Sequence, residues 1–128
     1  MDYKESTIAE AQDIIGQAID HLDVAVMSAY CHIGELMQDV YDHHVAIDEM
    51  RDEIETFEIL KDMVTGERKA SKYLVMSAIE ILRGIRGDWL DNARKDPDMA
   101  AKRGWIQRDD ATVRVLQLLG DMADEEGR

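Results

Sequence analysis

An all-α bundle of about four main helices is predicted for this 128-residue chain by three features of its sequence. Only one proline, Pro97, interrupts it. Hydrophobic residues make up 45% of it but aromatics only 5%, a composition too apolar for disorder and too poor in aromatics for a β-sandwich. Its apolar residues recur three and four apart, the period of a helix, rather than alternating as in a strand.

The elements follow in order. Ser6 or Thr7 can cap a first helix, with Glu10 closing a capping box on Thr7. Ile15, Ile19, Leu22, Val26, Tyr30, Ile33, Met37 and Tyr41 then repeat in a 4-3-4 rhythm. Eleven residues make almost three turns, so these positions fall on one stripe of an unusually long, nearly straight amphipathic helix. Gly16 and Gly34 lie on one edge of that stripe, where each permits close approach of a neighbour or marks a break. After His43-His44 the apolar direction swings through Ile47, Met50, Ile54, Phe57 and Val64, which predicts a turn or kink at residues 42–47. Thr65-Gly66 ends this second helix. A third carries Leu74, Ala78, Ile81, Leu82, Ile85 and Trp89 as far as Arg94, where Asp96-Pro97-Asp98 stops it. A short turn at residues 99–103 precedes a last helix, capped by Asp109 or Asp110 and carrying Val115, Leu118, Leu119 and Met122. The chain is expected to form a single domain over residues 1–128, with an acidic half at 1–65 and a neutral, locally basic half at 66–128.

That charge division is the strongest functional signal. Residues 1–65 hold 16 Asp/Glu against 3 Lys/Arg, a net charge of −13, whereas residues 66–128 hold 12 of each. A field this negative argues against direct contact with nucleic acid and favours a basic protein partner. The densest acidic run is Asp48, Glu49, Asp52, Glu53, Glu55, Glu58 and Asp62, offset only by Arg51 and Lys61. Pairs such as Glu58 and Asp62 stand four apart on a helix and repel, each at a few tenths of a kcal/mol, roughly. Lysines at those spacings would relieve the repulsion, so a helix that forgoes them fits a partner-binding surface. Asp48, Glu49, Asp52, Glu53, Glu55 and Glu58, with Asp39 and Asp42 upstream, are the expected contact residues.

The imidazoles offer a second candidate. His21, His32 and His43 stand 11 apart on the polar side of the first stripe. His32, Glu35, Asp39 and His43 occupy successive turns of one face, the spacing with which helical bundles assemble metal sites. The three histidines themselves are about 16 Å apart along the axis at about 1.5 Å per residue, too far to share an ion. A solvated face is the expected reading, and no metal or other cofactor is assigned.

Asp20-His21-Leu22-Asp23 followed by Glu49-Met50-Arg51-Asp52 distantly resembles the paired acidic motifs of all-α nucleotide pyrophosphohydrolases of the MazG and dimeric dUTPase type. The resemblance implies magnesium held by Asp20, Asp23, Glu49 and Asp52, with Arg68, Lys69 or Lys72 on substrate phosphates. Both positions of the first motif depart from glutamate.

Among residues 67–108 the sign inverts, with 10 Lys/Arg against 6 Asp/Glu, and Trp89 and Trp105 lie among Arg83, Arg86, Arg94, Arg103 and Arg108. An excess of four cations is too small for nucleic acid, and both Trp fit core positions. Cys31, alone, reads as a buried thiol in a reducing compartment. With no basic, apolar leader at the start and no membrane-length apolar run, the expected location is cytoplasmic, including a host cytoplasm for a virus-encoded protein.

The leading expectation is thus a non-enzymatic acidic interaction protein. It would bind a basic, nucleic-acid-handling surface of a protein partner, as an inhibitor or anti-CRISPR-like decoy of the kind phages and mobile elements carry. A metal-dependent nucleotide hydrolase and a structural or assembly subunit are the alternatives. Homodimerisation through the long apolar stripe is a further expectation.

Overall fold

A computed structural model describes the backbone of residues 3–33, 40–95 and 98–126, and the side chains of 3–30, 44–95, 98 and 103–125. Among the described residues there are four helices: α1 (Glu5–Ile33), α2 (Val40–Thr65), α3 (Lys72–Lys95) and α4 (Met99–Glu126). The predicted all-α bundle is the fold found.

α1 begins a turn earlier than its capping box predicts. The Lys4 carbonyl accepts the Thr7 and Ile8 amides, at 3.0 Å each. Glu10 does not fold back onto its own helix; it takes the guanidinium of Arg114, on α4, through Nε and Nη2 at 2.7 and 3.0 Å. A charge-assisted bidentate pair is stronger than the neutral amide contact it replaces.

The first helix is also shorter than the stripe suggests. α1 ends at Ile33 and α2 spans Val40–Thr65, so residues 42–47, where a turn or kink is predicted, are helical.

At the other end of α2, Gly66 takes φ 85°, a left-handed conformation that strains any residue with a Cβ. Its amide donates to the Met63 carbonyl at 3.2 Å and the Arg68 amide to the Asp62 carbonyl at 3.1 Å, which satisfies the last turn. Ser71 then caps α3, its carbonyl accepting the Val75 amide and its Oγ accepting the Leu74 amide.

α4 starts at Met99, ten residues before its predicted cap. Asp98, directly before it, holds the N-cap position. Asp109 instead accepts two bonds from Arg86 of α3, from Nε at 2.5 Å and Nη2 at 3.1 Å. Across the α3–α4 interface that pair is worth on the order of 1–3 kcal/mol.

α1 packs most extensively on α2, and α3 on α4, so two helical hairpins dock on each other. The short connections alternate the helix directions, as in an up-and-down bundle. Phe57, Ile14, Ile15, Leu60, Leu82, Val75, Val115 and Leu119 are fully buried in a core to which all four helices contribute. The one buried polar side chain among the described residues, Thr112, donates to the Arg108 carbonyl at 2.7 Å. No described helix is long and apolar enough to cross a membrane.

Candidate functional site

The outer face of α2 presents Asp48, Glu49, Asp52, Glu55 and Glu58, all exposed. The two cations of this helix are directed elsewhere. Arg51 reaches across to α1, where it bonds the Tyr30 hydroxyl and lies 5.5 Å from the centre of that ring. Lys61 extends over α1 at Gly16, its Nζ 3.9 Å from where a Cβ would stand. Among the described residues, the five outer carboxylates have no ion pair with a lysine or arginine.

Glu53 departs from that face. It is half-buried and lines a cleft of about 570 Å³ between α2 and α3, to which α1 also contributes. Burial, reinforced by Glu49 one turn before it, pushes its carboxyl above the usual range. A raised carboxyl pKa favours the folded state only when protonated, so the penalty is absent below the ordinary Glu range and complete above the folded value. Glu53→Gln is therefore expected to raise the melting temperature at pH 7 and leave it unchanged near pH ~4. Thermal unfolding at the two pH values checks this, and equal effects at both would contradict it.

Glu10 shifts the opposite way. The Arg114 guanidinium bonded to it holds its carboxyl below the usual range, against a smaller opposing effect of burial. This contribution is present above the ordinary Glu range and lost as pH falls through the folded value.

Glu35 and Asp39 lie outside the described residues, as do the side chains of Cys31, His32, Asp42 and His43. His21 is described and is half-buried. Its Nε2 meets Asp88 Oδ2 at 3.3 Å, and its ring stands edge-on to Trp89 with centroids 6.0 Å apart.

Asp20, Asp23, Glu49 and Asp52 are all exposed. The contacts of Gly16 with Lys61 and Tyr30 with Arg51 set the antiparallel register of α1 on α2. In that register Asp20 and Asp23 lie level with the Glu55–Glu58 turn, from about one turn (Asp23 to Asp52) to about two and a half turns (Asp20 to Glu49) along the axis from the second pair. No group of three or more His, Cys, Asp or Glu close enough to hold a metal ion occurs among the described residues.

On the other side of the α1–α3 contact, Trp89 and Trp105 flank Arg108, whose guanidinium carbon is 4.9 and 4.7 Å from the two ring centres. They line an open groove of about 530 Å³ with Gln17, His21 and Asn92. Val24 and Met27 lie near its α1 edge at 69% and 66% exposure. The expected core role holds for Trp89, which is 6% exposed, whereas Trp105 is half-buried. The stack was legible in part, since Trp105 and Arg108 stand three apart on one helix; its other half depends on the α3–α4 packing.

Fold and surfaces together define the chain as an acidic four-helix bundle. No protein-family model, curated protein or solved structure matches it.

Proposed function

We propose that this chain is a non-enzymatic binding protein that engages a basic surface of a protein partner through the outer face of α2. One observation carries the reading: Arg51 and Lys61, the only cations on that helix, are turned onto α1. Asp48, Glu49, Asp52, Glu55 and Glu58 are left as an uncompensated row. The repulsion within the row is relieved when a cationic surface docks, which turns a folding cost into binding energy. A partner built to receive phosphates has such a surface, so the chain acts as an inhibitor that occupies it in place of nucleic acid.

Affinity capture from lysate at ~0.1 M and ~0.5 M salt, with mass spectrometry of the retained proteins, tests this. A basic, nucleic-acid-handling partner should be retained at the lower salt and released at the higher. The triple variant Glu49→Lys, Asp52→Lys, Glu55→Lys should bind that partner at least ~100-fold more weakly, since three attractions become repulsions. Its helix content should be unchanged, because the substituted positions are exposed and lysine is a good helix former. Retention of the same partner by the triple variant, with the same salt resistance, would refute the reading.

A further inference from the structure

The cleft between α2 and α3 carries a more specific assignment, which rests on the binding role proposed for α2. We infer that it receives a basic amphipathic helix of the partner, with apolar side chains on the floor and lysine or arginine on the rim.

The floor is apolar, formed by Leu22, Met50, Ile81 and Ile85. The rim is acidic on both sides: Glu53 from α2, and Glu80 and Asp88 from α3. Among the described residues, neither lysine nor arginine lines the cleft. Asp88 already meets one nitrogen donor, His21, while Glu53 and Glu80 have no ion pair among the described residues. A half-buried carboxylate beside an apolar floor is costly when unpaired, and an incoming cation removes that cost.

Gly84 supplies an independent observation. Glu80, Gly84 and Asp88 are spaced four apart, on one stripe of α3. Glycine in a helix interior costs about 0.5–1 kcal/mol relative to alanine. Close helix packing does not account for it, because nothing lies within 4 Å of where its Cβ would stand. The missing side chain instead deepens the cleft between the two carboxylates. From Glu80 to Asp88 the rim runs about 12 Å at about 1.5 Å per residue, enough for two turns of a docked helix, which presents anchors at i, i+4 and i+7. An apolar anchor opposite Gly84, with cations a turn to either side, matches the carboxylate, gap, carboxylate order.

Amide chemical-shift titration separates this cleft from the outer face. The probes are a synthetic amphipathic helix of Leu and Lys, about 14 residues long, and an oligolysine of equal charge that lacks an apolar side. The Leu/Lys helix should perturb Met50, Glu53, Ile81, Gly84 and Ile85, and oligolysine chiefly Asp48, Asp52, Glu55 and Glu58. Gly84→Leu fills the cleft without disturbing the core and should weaken the Leu/Lys helix ~10-fold or more while leaving oligolysine binding unchanged. Glu80→Gln, which leaves the cleft open, should weaken the same helix by several-fold. If the Leu/Lys helix moves only the outer carboxylates, or binds Gly84→Leu as well as the parent, the cleft assignment falls and the α2 reading stands. If neither probe binds at low salt, both fall.

Discussion

Truncating Phe57 to alanine should destabilise the fold by about 3–5 kcal/mol, the largest effect expected of any single substitution here. Phe57 is the sole phenylalanine and is fully buried, on the face of α2 that meets the cores of both hairpins. Its removal takes a ring's worth of apolar surface out of the core and leaves a cavity that surrounding helices cannot collapse to fill without losing their own register. At this chain length the loss corresponds to roughly 10–20 °C in melting temperature. Urea unfolding should show the midpoint falling with an unchanged slope, the signature of lost stability without a change in the surface exposed. A loss under ~1 kcal/mol would mean that Phe57 is not central to the core.

Trp89→Ala should come close behind, at about 3–5 kcal/mol, for a different combination of reasons. The indole is 6% exposed, carries the Arg108 guanidinium on its face at 4.9 Å and receives the His21 ring edge-on. Truncation therefore removes buried area and, with it, the platform on which α1, α3 and α4 meet. Trp89→Phe keeps a ring in place and should recover more than half of the loss. Chemical denaturation of the two variants, followed by circular dichroism, checks the ranking. Equal destabilisation by Ala and Phe would mean that the full width of the indole, and not simply an aromatic ring, is what holds the helices together.

Much of the fold was legible because buried positions obey the helical period. Ala78, Leu82, Ile85 and Trp89 of the expected stripe are buried on α3, whereas Leu74 and Ile81 are half-buried and Val75, outside that stripe, is buried; Gly66 ends α2 as its backbone freedom allows. Boundaries proved less legible where a polar residue had two possible uses. Glu10 and Asp109 have the residue types and positions of local caps, but each pairs with an arginine on another helix, a choice made by tertiary packing. The outer row of α2 could be read from charge spacing alone. Glu53 could not be separated from it, because a rotation of about 100° about the helix axis, one residue's step, decides whether a carboxylate faces water or the cleft, and that orientation is set by α3. Glu80, Gly84 and Asp88 went unnoticed as a group for the same reason: their spacing has meaning only when Met50 and Glu53 stand opposite.

The hairpin arrangement gives the uneven charge a direction. α1 and α2 belong to the half with a net charge of −13, α3 and α4 to the neutral half, and the two hairpins stand side by side. The bundle is consequently a large electric dipole laid across its short axis. A cationic partner exerts a torque on such a molecule before contact and turns the α2 side toward itself, which raises the fraction of collisions that are productive. Between two copies the same dipole acts in the opposite sense, holding their acidic sides apart and leaving the α3–α4 side as the cheaper route of approach.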